Sequence, residues 1–166
     1  VTGELDASFT PPAINAVVNS MAFQSNQGHL MIGGAFTLPS ATVGSTFSPK
    51  VVALSENGSV SSLYNVQSGV GVTGSVRAVA SHFGGYVLLG GDFGNFAGSG
   101  RNGLVRTIPE GAVDADFNNL IIGQAQMSNN QITNFTYKPG LKRYWVFDVV
   151  NRRYAKISHF SAYSKV

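Results

Sequence analysis

Apolar residues along this chain fall into short runs of four to eight, separated by glycine, proline, asparagine and serine, and the runs follow a strand period rather than a helical one. Residues 18–23, 76–83 and 132–137 half-alternate, with Val18/Met21, Val76/Val79 and Ile132/Phe135 in matching places. Each run meets a glycine-bearing turn: Gln27-Gly28, Gly84-Gly85 or Pro139-Gly140. A second apolar strand follows over 30–36, 86–93 and 144–149. A variable loop then leads to a last strand at 51–54, 104–108 and 155–158. Helix is scarce in this pattern; residues 12–17, with Pro12 near the start, are expected to form one short turn.

The order of these runs repeats, and so does a motif between them. Gly3-Glu4-Leu5-Asp6-Ala7-Ser8-Phe9 returns as Gly58-Ser59-Val60-Ser61-Ser62-Leu63-Tyr64 and as Gly111-Ala112-Val113-Asp114-Ala115-Asp116-Phe117, at spacings of 55 and 53 residues. With the motif counted as a short fourth strand, the chain reads as one all-β domain over 1–166, built from three four-stranded repeats at about 1–56, 57–110 and 111–166. Four-stranded antiparallel units at this period mark a β-propeller-like array, in which each blade buries its faces on its neighbours. A sandwich with accidental similarity is the alternative. The glycine pairs Gly33-Gly34 and Gly90-Gly91 then have an architectural reason, since a backbone without Cβ can bulge and be closely approached.

On these two motifs the chain resembles the delta-sixty repeat family of β-propeller-like modules, whose units pair a Gly-x-Leu-Asp-x-Ser-Phe turn with an apolar strand ending in Gly-Gly-x-Phe. Leu5-Asp6-Ala7-Ser8-Phe9 and Gly33-Gly34-Ala35-Phe36 fit in the first unit, and Gly90-Gly91-Asp92-Phe93 in the second. The second unit departs at Ser61 and Tyr64. The third keeps Asp114 and Phe117 but places Asp148 and Val149 where the glycines are expected. The resemblance implies a non-enzymatic scaffold or recognition module of the kind found in bacterial surface and phage virion proteins, and brings no catalytic residues with it. Three blades are fewer than the roughly four to eight of a closed propeller. The open ends are therefore expected to be covered by a homo-oligomer or by further blades of a longer chain, unless the divergent third unit acts as a cap.

Composition narrows the classes. Charged residues make up 11% of the 166 positions, under half the roughly 25% of an ordinary soluble domain, while apolar content is near average. No apolar run reaches the roughly 18 residues of a membrane helix, so no membrane insertion is expected. Absence of cysteine removes disulfides, thiolate nucleophiles and zinc–thiolate clusters. Residue 1 is Val and no signal-like segment opens the chain, which reads as processed or as part of something longer.

Charge is unevenly spread. Of 11 basic residues seven follow residue 137, against Asp148 alone, whereas residues 1–137 carry a net −3. Aromatics interleave with them, making Tyr137, Arg143, Tyr144, Trp145, Arg152, Arg153 and Tyr154 the ligand or interface candidates. Aromatic and arginine residues of this kind suit the centre of a protein interface, or an anionic or glycan ligand, ahead of nucleic acid. The turn residues Asp6, Phe9, Asp114 and Phe117 are assigned structural roles, with the Asp side chains capping backbone N–H groups.

Candidate chemistry is thin. Asp114-x-Asp116 without a longer ligand loop is a weak calcium signal, and His29, His82 and His159 lack ligand spacing, so no metal or cofactor is expected. No Gly-x-Ser-x-Gly elbow or phosphate loop is present. A polysaccharide hydrolase would need Asp92 and Asp148 to face one another, and a lectin would stack sugars on Trp145 or Tyr144. The reading that ranks first is a structural or attachment module, in a virion tail or fibre or at a bacterial surface, working through contacts with other proteins of that assembly.

Overall fold

The computed structural model describes residues 3–38, 50–64, 72–117, 132–138, 143–148 and 153–157. Three small antiparallel meanders dominate it. The first holds β1 (Val18–Gln24), β2 (His29–Gly34) and β3 (Val51–Leu54). A two-residue ladder joins β4 (Val72–Thr73) to β7 (Asn95–Phe96). The second meander holds β5 (Val76–Ser81), β6 (Val87–Gly91) and β8 (Leu104–Thr107), and the third β9 (Ile132–Lys138), β10 (Arg143–Asp148) and β11 (Arg153–Ile157). The described residues contain no α-helix, only a single 3-10 turn at Phe83–Gly85, and no closed barrel.

One register runs through all three sheets. Val18 pairs with Gly34 and Ser20 with Gly33, leaving Asn19 as a one-residue bulge. Val76 pairs with Gly91 and Ala78 with Gly90, leaving Arg77. In the third sheet Ile132 pairs with Asp148 and Asn134 with Phe147, leaving Thr133. A bulge adds one residue and re-aims the side chain it carries. Arg77, at that position, turns to grip Asp92, and the Asn19 amide reaches the carbonyl of Val76 on the neighbouring sheet at 2.9 Å.

Two expectations need correction. Each of the three meanders has three strands among the described residues, and in the first two the expected fourth contributes a single bridge, Leu54 with Val60 and Thr107 with Val113. The ladder stops there because a tight turn ends it: the Ser61 or Asp114 side chain accepts the N–H two residues on and folds the chain off the sheet edge. Residues 12–17 form no helical turn. Asn15 instead holds the segment against Thr37, accepting its N–H at 2.8 Å and donating to its hydroxyl at 2.6 Å.

Sheets stack through their first strands, β1 against β5 and β5 against β9. The main core lies between the first two sheets, where Met31, Val51 and Ala53 meet Val76, Val79, Val87, Leu89 and Val105, with Phe93, Phe96 and Tyr64 closing the sides. Phe96 lies within 94–102, in the variable loop that leads to the last strand of the second unit. The loop folds back through β7, with the Phe96 ring 5.8 Å from that of Phe93, and its 98–100 tip stays exposed. A second cluster covers the far face of the first sheet with Ile32, Val52 and Leu54 beneath Phe36 and Leu38.

Candidate functional site

The second and third motif copies are junctions between sheets, and the first leads into the first sheet. In the first copy, Asp6 accepts the N–H and hydroxyl of Ser8 at 2.8 and 2.6 Å, while Phe9 N–H donates to Asp6 O. The hydroxyl bond first, then the N–H bond, holds the Asp6 carboxyl below its ordinary range. In the second, Ser61 accepts Leu63 N–H and pairs with His29 Nε2 at 3.0 Å. In the third, Asp114 accepts Asp116 N–H at 3.0 Å and binds the buried Arg106 guanidinium. The first two copies end on an aromatic that enters the sheet ahead. Phe9 packs on the first sheet, and Tyr64 sends its hydroxyl to Thr107 Oγ1 on the second at 2.9 Å. Burial, opposed by that bond, pushes the Tyr64 phenol up.

Arg106 was not singled out by the sequence and is among the most deeply buried side chains described. Its guanidinium lies between the rings of Tyr86 and Phe117, at 4.8 and 5.1 Å from their centroids, and meets Asp114 at one edge. A buried cation needs such pairing, because desolvation alone would expel it. With its carboxylate engaged by Arg106, Asp114 is withdrawn from the calcium role weighed for Asp114-x-Asp116, and no cluster of three metal-ligating side chains occurs among the described residues.

Asp92 is likewise committed. Ser75 N–H donates to it at 2.7 Å and Arg77 Nη2 at 2.7 Å. Burial raises its carboxyl, but the Arg77 and Ser75 bonds outweigh that and hold it below its ordinary value. Asp148 stands inside β10 at the register position of Gly34 and Gly91, so it and Asp92 do not follow equivalent strands. The same register corrects the third unit: Phe147 and Asp148, rather than Asp148 and Val149, replace the glycine pair.

Those glycines occupy closed positions. A Cβ on Gly33 would sit 2.6 Å from methyl carbons of both Val76 and Val79, so the first sheet can receive the second only without it. A Cβ on Gly34 or Gly91 would strike the carbonyl of Val17 or Ser75, at 2.2 and 2.0 Å, where the bulged first strand crosses.

Of the aromatic and basic candidates, Tyr137, Arg143, Tyr144, Trp145, Arg153 and Tyr154 have backbone positions in β9, β10 and β11, and their side chains lie outside the described residues, as does Arg152 altogether. The surface that the structure does describe as unusual was missed. It is the outer side of β1, where Met21 is 63% and Phe23 61% exposed; Val17 and Leu5 are exposed as well. The signal lay in the register, for Val79 holds the place of Met21 on the second sheet and is 7% exposed. No protein-family model, curated protein or solved structure matches the chain.

Proposed function

We propose that the chain is a propeller-like array of blade units and acts, without catalysis, as a structural or attachment module in a virion tail or fibre or a bacterial surface assembly. Contacts with other proteins are its mechanism. The observation that carries this reading is the outer side of β1, where Met21 and Phe23, two residues apart and so on one face of the strand, present large apolar side chains to solvent. Contiguous exposed apolar surface of this kind belongs to protein contacts. The commitment of Asp92 to Arg77 and of Asp114 to Arg106 adds support, since both carboxylates serve the framework.

A photo-reactive methionine analogue at position 21, incorporated where the protein is naturally produced, tests the proposal. Irradiation should join the chain to a polypeptide in extracellular particles or on the cell surface. Failure to yield any polypeptide adduct, or adducts confined to the cytosol, would contradict it.

A further inference from the structure

The second junction works in two directions, and the first copy of the motif has only one of them in use. Val60 bridges the last strand of the first sheet and Val113 the last strand of the second, each reaching back to the sheet just left. Tyr64 reaches forward, to Thr107. In the first copy the forward half is seated, with Phe9 packed on the first sheet, but Leu5, at the place of Val60 and Val113, is almost wholly exposed.

The strand faces repeat this asymmetry. On the second sheet, Tyr64, Val72, Val76, Val79 and Val87 are all buried against the first. Residues at the same places around the first sheet, Phe9, Ile14, Val18, Met21 and Leu30, are half-buried or exposed. The first sheet therefore carries a finished half of the interface that joins it to the second. Hydrogen bonding agrees: Ser20 Oγ on β1 accepts Val79 N–H at 3.1 Å, and Ser81 Oγ donates to the Phe23 carbonyl at 2.6 Å, so each first strand is completed by polar groups of its neighbour.

We infer that the outer face of β1 is the docking surface for a further sheet of this same repeat type: a three-stranded meander with Gly-Gly at the end of its central strand, whose last strand takes Leu5 as its bridging residue. The inference rests on the proposed assembly role and names the partner. It requires glycine opposite Met21, as Gly33 stands opposite Val79. A second copy of this chain cannot offer its third sheet in that role, because Phe147 holds the register position of Gly33 and Gly90. The array is thus open at its first sheet and capped at its third.

Duplicating residues 1–57 ahead of the full chain, with Met21→Leu in the added copy, leaves the original Met21 as the reporter. Its oxidation by dilute hydrogen peroxide, read by peptide mass spectrometry, should slow by about tenfold or more relative to the single chain, because oxidation follows exposure. The same duplication with Gly33→Phe in the added copy should restore the fast rate. An unchanged rate in the first, or equal protection in both, overturns the inference. So does protection of Met21 in the unmodified chain with a doubled mass by light scattering, which would assign the face to a second copy. A second variant is independent of the added unit's folding: Phe147→Gly with Asp148→Gly in the full chain should cause head-to-tail association that Met21→Glu abolishes, and a mass unchanged from wild type contradicts the account. A photo-adduct at position 21 with a protein lacking such a sheet would spare the assembly role while removing this partner.

Discussion

Asp6, Ser61 and Asp114 show how one motif position is put to three uses. All three side chains accept the N–H two residues downstream, which is what short polar side chains do at turns, and that much was legible from Leu-Asp-x-Ser-Phe alone. Their second partners were not legible: Arg106 and His29 come from strands eight and 32 residues away, and nothing in local spacing marks them. The consequence is a graded cost. Asp114→Ala strands a buried guanidinium and should lower unfolding stability by about 3 kcal/mol or more in urea titration, whereas Asp6→Ala, at an exposed turn, should cost a small fraction of that. His29 adds a pH dependence. Burial lowers its pKa from 6.5, so the folded chain takes up this proton less readily than the unfolded chain. Its contribution is therefore present above pH 6.5 and lost as pH falls below that value. Calorimetry between pH 7.5 and 5 should show this fall, and His29→Gln should flatten it. Asp92, held below its ordinary 3.8, contributes only in a lower window, lost as pH drops past that point.

At the scale of elements, the apolar runs located nine principal strands to within a few residues, because half-alternating runs bounded by glycine turns admit little else. The fourth strand was overestimated: an apolar residue at Val60 or Val113 signals one bridge, and only the turn geometry shows that pairing stops after it. Bulges at Asn19, Arg77 and Thr133 were invisible too, since an extra residue leaves no mark on composition. They explain the one-residue misplacement in the third unit, where Phe147 and Asp148 stand for the glycine pair. Glycine loss should be felt most where sheets meet. Gly33→Ala should cost about 2 kcal/mol by overpacking against Val76 and Val79. Gly100→Ala meets nothing within 4 Å and bears only the strain of its positive φ, about 1 kcal/mol. Thermal unfolding of the two variants side by side checks the difference.

For the whole molecule, serial stacking leaves one sheet with neighbours on both sides and another with the β1 side of its far face open to water. Attention in the sequence goes to the basic aromatic segment after residue 137, whose side chains lie outside the described residues. Charge and aromatic content are conspicuous in a sequence, whereas Met21 and Phe23 look like ordinary core residues until register shows that their counterparts are buried and they are not. Amide hydrogen exchange at two equivalent backbone positions tests this arrangement most directly. Val79 N–H, capped by Ser20 Oγ beneath the first sheet, should exchange at least about a hundredfold more slowly than Met21 N–H, as protection follows the burial of the hydrogen bond. Equal exchange at the two amides would contradict serial stacking with an open first face.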